Sequence, residues 1–90
     1  MARTQEFVKK SEARILIYLH HSSNLMKHGA KMSQKLHIDY IYLMKLLRAM
    51  YTKGWITTSI YHKITFFNTT SQAPIKEAKA RLIEAQTRLG

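Results

Sequence analysis

The chain has 90 residues, which suffices for one small domain and leaves no room for a second. It contains no cysteine, which excludes a disulfide scaffold and thiolate metal sites such as zinc fingers. Hydrophobic residues make up 46% of the chain, too many for a disordered tail. No apolar run approaches the ~20 residues of a membrane span, and the start lacks a signal-peptide core. We therefore expect a small soluble intracellular domain.

Positive charge is the dominant feature of the composition. Fifteen Lys and Arg against five Asp and Glu give a formal net charge of +10. Between residues 13 and 76, nine cations accompany a single acid, Asp39. Such a field weakens the compact state unless a polyanion neutralises it, so nucleic acid is the favoured partner. A merely solubilising surface is the alternative, and an anionic membrane surface is a more remote one.

The beginning of the chain predicts an arm and a first helix. Residues 1–10 are polar and basic, and we interpret them as a loosely held arm or an extra helical turn. Ser11 is a suitable N-cap, with Glu12 in the favourable first turn. The apolar block at 15–19 is also compatible with a strand. The polar segments on either side extend it to helix length, so we predict a helix over 11–22.

A short helix and a long helix follow. Apolar residues four apart on one helical face predict a short helix over residues 30–36, directly after the interruption by Gly29. Asp39 is a good N-cap, and Gly54 stands where a helix end favours a positive φ. These signals predict the long helix over residues 39–53.

The last third of the chain predicts a β-hairpin and a final helix. Residues 55–60 and 63–68 are rich in alternating β-branched and aromatic side chains, with Tyr61 and His62 between them. Pro74 suits the first turn of a helix that runs to the end of the chain. Apolar residues in this helix recur at spacings of three and four, which predicts a heptad seam for pairing with a second copy. The seam residues are Ile75, Ala78, Leu82, Ala85 and Leu89.

The predicted order is α-α-α-β-β-α, a mainly α chain with a small hairpin in the α+β class. Residues 30–56, AKMSQKLHIDYIYLMKLLRAMYTKGWI, resemble a winged helix-turn-helix domain. In that family a short helix leads through a tight turn into a recognition helix that ends Lys-Gly-hydrophobic-Ile. His37 stands where the family usually has a small turn residue.

Two groups within this family are similar in layout. The apolar seam of the last helix is similar to MarR- and PadR-type regulators, whose final helices dimerise. The size is similar to compact archaeal winged-helix proteins, including the DNA-binding adaptor of plasmid partition cassettes. The resemblance implies an N-terminal arm over 1–10, a winged helix-turn-helix domain over 11–70 and a dimerisation helix over 71–90.

The long helix has two distinct faces. At 100° per residue, Leu43, Leu47 and Met50 lie within about 60° of one another and predict the core stripe. Lys45 and Arg48 lie opposite, on the face that a recognition helix presents to the major groove. Arg48 is suited to a guanine edge, and Lys45 to guanine or phosphate. The predicted DNA contacts are Lys31, Gln34, Lys35, Tyr40, Ile41, Tyr42, Lys45, Arg48, Thr52, His62 and Lys63.

Catalysis is not expected. The five acids are scattered, no nucleophile–histidine set is suggested, and three glycines form no phosphate-binding loop. The adjacent His20 and His21 point about 100° apart on a helix and do not chelate one ion from one face. We expect no enzyme activity, no cofactor and no metal.

Two DNA-binding functions remain open. The first is a homodimeric, sequence-specific transcriptional regulator that reads the major groove with the helix over 39–53. The second is a plasmid or chromosome partition or architectural adaptor that coats DNA and recruits a partner protein. A winged helix used only for protein contacts is a third class. We expect double-stranded DNA and a second copy of the chain as partners, no membrane partner, and a cytoplasmic, nucleoid-associated location.

Overall fold

The structure, a computed structural model, describes residues 8–89 of the chain, with side chains through residue 83. The described part contains four α-helices and one antiparallel hairpin in the predicted order α-α-α-β-β-α. A short 3-10 turn, Asn24–Met26, lies between the first two helices. The elements are α1 Lys10–His21, α2 Gly29–Leu36, α3 Tyr40–Thr52, β1 Ile56–Tyr61, β2 Ile64–Thr69 and α4 Ile75–Leu89.

Both predicted ends of the long helix are present. The carboxylate of Asp39 accepts a hydrogen bond from the backbone N–H of Tyr42 at 3.2 Å, as an N-cap does. Gly54 has a φ of +82°, the left-handed conformation that ends a helix without a Cβ penalty. At the short helix, Gly29 forms the first helical residue of α2. The glycine therefore begins the helix, one residue before the predicted start.

The hairpin turn lies one residue later than predicted. Tyr61 pairs with Ile64, which leaves His62 and Lys63 as the two turn residues. Their φ values are +51° and +66°. Two consecutive left-handed residues are characteristic of a type I′ turn, whose twist matches that of the flanking strands. The prediction of Tyr61 and His62 as the separating pair was wrong because neither His nor Lys is a usual residue for this turn.

The core lies between the four α-helices and the hairpin. The helix α4 packs along α1, so the N-terminal and C-terminal helices enclose one side of the core. Val8, which precedes α1, is also buried. Residues 1–7, the greater part of the predicted arm, lie outside the described residues. The largest fully buried side chains are Ile15, Leu16, Leu19, Met32, Leu43, Leu47, Met50, Trp55 and Ile56.

The segment between α1 and α2 extends the hairpin, a feature that the sequence did not predict. The backbone N–H of Phe67 donates to the carbonyl of Lys27 at 2.8 Å, and His28 forms a β-bridge with Phe66. The hydroxyl of Tyr18 donates to the carbonyl of Met26 at 2.8 Å. These bonds fix the segment against β2 on one side and against α1 on the other.

Candidate nucleic-acid interface

One face of α3 is open to solvent along the whole helix. Ile41 is 68% exposed, and Tyr42, Lys45, Arg48 and Thr52 are exposed with it. The opposite face is buried and anchors the helix, and it includes Leu46 in addition to the residues predicted for the core stripe. The buried residues of α3 are Leu43, Leu46, Leu47 and Met50. The helix therefore presents two cations and an isoleucine on one side because its leucines are held on the other.

The tyrosines at the ends of α3 differ in their surroundings. Tyr51 is 55% exposed at the C-terminal end. Tyr40 is 50% exposed at the N-terminal end, and its ring lies against the start of α2. A methyl group on Gly29 would come within 2.9 Å of Cε1 of Tyr40, closer than any ordinary contact. Glycine at this position therefore allows the ring of Tyr40 to lie beside α2.

The turn between α2 and α3 is closed by several hydrogen bonds. His37 adopts the left-handed conformation with φ 56° and ψ 45°. Ser33 makes two bonds across the turn: its hydroxyl donates to the carbonyl of Ile38 at 2.6 Å, and its carbonyl accepts from the N–H of Ile38 at 3.2 Å. The guanidinium of Arg14 donates to the carbonyl of Leu36 at the end of α2. The turn is fixed from both its own residues and α1, so the angle between the two helices is defined.

The polar side chains predicted on α2 lie at its surface. Gln34 and Lys35 are exposed, and Lys31 is half-buried. The ammonium of Lys31 lies 3.4 Å from Oε1 of Gln34, one turn along the helix. These three residues therefore form a polar edge on the helix that precedes α3 across the tight turn.

The hairpin tip carries the other predicted contacts. His62 and Lys63 are both exposed. The rings of Tyr61 and His62 pack edge to face with centroids 4.1 Å apart. Non-glycine residues at two left-handed positions cost conformational energy that Asn-Gly avoids. His62 and Lys63 therefore occupy the turn although their backbone conformation lowers the stability of the fold.

Several cations have partners within the fold, which the composition did not reveal. Lys53 forms an ion pair at 3.2 Å with Glu12, whose carboxylate also accepts from the N–H of Lys9 at 3.1 Å. The same ammonium lies 4.3 Å from the ring centroid of Trp55. Lys27 is buried, and Arg14 is bound to α2 as described above. These three cations are engaged within the fold. The exposed cations on α2, α3 and the hairpin tip therefore make up a larger share of the charge available to a partner than the net charge of the chain indicates.

The predicted dimer seam on α4 is largely used inside the chain. Ala78 is completely buried, and Ile75 and Leu82 pack against the core. The side chains of Ala85 and Leu89 lie outside the described residues. Packing of α4 against α1 thus explains the spacing of the first three seam residues, and pairing with a second copy stays a prediction.

The described residues contain no group of three His, Asp or Glu side chains placed to hold a metal ion. None of the helices in this part of the chain is long and apolar enough to cross a bilayer.

Comparison with known proteins gives structural neighbours and no sequence family. No protein-family model and no curated protein matches the chain. A glutamate-to-alanine mutant of ZitR from Lactococcus lactis superposes with a TM-score of 0.76 at 20% identity, over 99% of this chain and 60% of the ZitR chain. A cysteine-to-serine mutant of ZitR gives a TM-score of 0.70 at 19% identity, over 100% of this chain and 65% of the ZitR chain.

A double mutant of ZitR, with a cysteine and a histidine replaced by alanine and in its apo form, gives a TM-score of 0.63 at 20% identity. That match covers 89% of this chain and 59% of the ZitR chain. The chain has the winged helix-turn-helix fold. It spans less than two-thirds of the length of the ZitR chains it matches.

Proposed function

We propose that this chain is a double-stranded-DNA-binding protein that places α3 in the major groove and acts as a homodimeric, sequence-specific transcriptional regulator on the nucleoid. The observation that carries the proposal is the solvent-exposed face of α3, where Ile41, Lys45 and Arg48 lie opposite the buried face of the helix. In helix-turn-helix proteins the second helix of the motif enters the major groove. The chain has this motif in α2 and α3.

The chemistry of the α3 face matches the edges of base pairs. Arg48 offers two parallel N–H donors for O6 and N7 of guanine, and Ile41 offers an apolar surface for a thymine methyl. Lys45 and Tyr42 suit phosphate or a base edge. Arg48 and Lys45 have no acidic partner within 4 Å among the described side chains, so their charges are available to an external anion.

The residues around α3 suit the DNA backbone. Lys31, Gln34 and Lys35 on α2 provide hydrogen-bond donors beside the recognition helix, which is where phosphate contacts position a protein on the duplex. His62 and Lys63 at the hairpin tip suit phosphate or the adjacent minor groove. Lys63 has a fixed charge and therefore adds affinity on every sequence.

The size of a specific protein–DNA interface favours binding by two copies of the chain. A single small module buries roughly 600–1,000 Å² on DNA, less than most specific interfaces. Two copies with recognition helices about 34 Å apart would read a pseudo-palindromic site in one DNA turn. Because Ile75, Ala78 and Leu82 are used inside the chain, we place the pairing surface toward the end of α4, where Ala85 and Leu89 continue the seam.

The test is in vitro selection of a binding site followed by fluorescence anisotropy with Arg48→Ala. The variant should lose about 1–3 kcal/mol on the selected site and lose preference at one base position. Lys79→Ala is the control, because Lys79 is an exposed cation on α4 and its removal changes the net charge equally. Equal weakening of Arg48→Ala on all sequences would contradict a base-reading role.

A footprint on DNA that contains the selected site tests the regulatory role. One protected site at saturation supports the regulator. Protection that extends along the flanking DNA with added protein supports the coating adaptor and contradicts the regulator.

A further inference from the structure

The strand β1 forms the open edge of the hairpin. On one side β2 pairs with β1, and on its other side it forms the bridge with His28. Among the residues that the structure describes, no strand pairs with the outer side of β1. Every residue of β1 after Ile56 is exposed. The strand therefore presents a row of unpaired backbone groups to the solvent.

This edge lacks the features that usually protect an edge strand. Soluble proteins block such edges with charged side chains, proline, bulges or very short strands. The sequence of β1, ITTSIY, contains no charged residue and no proline. Its six residues pair with β2 in one unbroken register, and Ile60 and Tyr61 are 74% and 64% exposed. The edge is therefore suited to the addition of another strand.

The hydrogen bonds of β2 show which backbone groups of β1 point outward. The N–H of Phe67 donates to the carbonyl of Lys27, on the side of β2 away from β1. Phe67 lies opposite Thr58, so these two residues form a non-hydrogen-bonded pair of the ladder. Because the two kinds of pair alternate, the N–H and C=O groups of Thr58 and Ile60 point to the open edge, whereas those of Ser59 point to β2.

A second copy of β1 complements this edge in antiparallel register. When Ser59 lies opposite Ser59 of the second copy, Thr58 of each copy lies opposite Ile60 of the other. These two residues carry the outward groups, so they exchange both backbone hydrogen bonds. In the same register Thr57 lies opposite Tyr61, and aromatic and β-branched residues are favourable cross-strand partners. Each exposed residue of β1 thus has a partner in the second copy.

The distribution of charge favours a second copy over an acidic peptide. Two chains of net charge +10 repel each other. The hairpin strands contain no charged residue, so contact between two β1 edges places no like charges opposite each other. The antiparallel arrangement also directs the two hairpin tips, each with its Lys63, in opposite directions. An acidic peptide would find no cation on β1 with which to pair.

We propose that two copies of this chain pair through the open edges of β1, antiparallel and centred on Ser59, and join their hairpins into one four-stranded sheet. The contact is distinct from the seam on α4. It uses none of the residues proposed to contact DNA, and it does not rest on the proposed function.

The test is cysteine cross-linking of the full chain without DNA, because the chain contains no cysteine of its own. In a non-hydrogen-bonded pair the Cα atoms lie about 4.5 Å apart, within the range of roughly 4.4–6.8 Å that a disulfide spans. With oxidised glutathione as the oxidant, Ser59→Cys should form a disulfide-linked dimer at least about tenfold faster than Thr57→Cys, which lies on the same face of β1 but opposite Tyr61. Ser71→Cys is a second control, because Ser71 is exposed outside the hairpin.

A charge on the edge should prevent the pairing. Ile60→Lys, added to Ser59→Cys, should slow cross-linking at least about tenfold. Ile41→Lys in the same background adds the same charge at an isoleucine of α3 that is 68% exposed, and it should change the rate less than about twofold. Circular dichroism checks that each variant keeps the fold. Equal rates for the three single-cysteine variants, a faster rate for either control, or an unchanged rate with Ile60→Lys would overturn the proposal.

Discussion

A substitution at the turn residue Lys63 should change the stability of the fold and DNA binding in opposite directions. The φ of Lys63, +66°, lies in the left-handed region, where a non-glycine residue costs roughly 1–2 kcal/mol. Glycine removes this cost but adds about 0.5–1 kcal/mol of chain entropy to the unfolded state. Lys63→Gly should therefore stabilise the chain by about 0.5–1 kcal/mol. For a domain of this size that raises the melting temperature by about 2–8 °C.

The same substitution should weaken DNA binding. Removal of one phosphate contact lowers the slope of log K against log salt by about 0.9. Thermal unfolding by circular dichroism measures the first effect, and anisotropy on duplex DNA over a salt series measures the second. Lys63→Arg is the control, because it keeps both the charge and the backbone strain. It should match the parent in melting temperature and binding slope.

Lys63→Gly is expected to raise the melting temperature and to weaken DNA binding, so each effect can be contradicted separately. A lower melting temperature for Lys63→Gly would refute the backbone argument. An unchanged salt slope in a well-folded Lys63→Gly would refute the placement of the hairpin tip beside the DNA backbone.

Three further predictions concern the stability of the fold. His37→Gly should stabilise the chain by about 0.5–1 kcal/mol, since His37 is also left-handed, and destabilisation in urea titration would contradict a purely conformational role. Glu12→Gln should destabilise the chain by about 1–2 kcal/mol, because Lys53 loses its charged partner. This destabilisation should be smaller at high salt. An unchanged midpoint of urea unfolding would mean that the ion pair contributes nothing to stability. Leu82→Glu should lower the free energy of unfolding by about 1–3 kcal/mol, because it places a charge against the core. The loss should be the same at every protein concentration. A loss that disappears on dilution would instead assign Leu82 to a contact between two copies of the chain.

Local signals account for most of the fold. Asp39 and Gly54 mark the two ends of the long helix by chemistry that acts within a few residues, and the structure has both. The hairpin was predicted from strand composition, yet its turn was displaced by one residue. The pair His62–Lys63 lacks the Asn-Gly or Asp-Gly signal of a type I′ turn, and Lys63 in particular has no propensity for positive φ, so the local sequence does not mark the turn.

Long-range contacts account for what the sequence left out. The spacing on α4 serves equally well for a partner helix in the same chain or in another. In this chain α4 packs along α1, and Ala78 is buried. Glu12 and Lys53 are 41 residues apart, so their ion pair depends on the assembled fold. Burial of Lys27 follows from pairing of its segment with β2, and no periodicity in residues 22–28 indicates that pairing.

The most direct test of the central claim is the salt dependence of duplex DNA binding by the double variant Lys45→Ala/Arg48→Ala. Lys76→Ala/Lys79→Ala removes the same charge from exposed positions on α4 and is the control. If six or so phosphates are neutralised, the parent chain should lose roughly 10³-fold in affinity between 50 and 200 mM salt. The α3 variant should lower the slope by about 0.9 through loss of a phosphate contact by Lys45, and loss of the Arg48 base contact should weaken binding to the selected site by a further ~1–3 kcal/mol; the α4 variant should leave the slope unchanged. Equal slopes for the parent and the α3 variant would contradict the assignment of α3 as the DNA-reading helix.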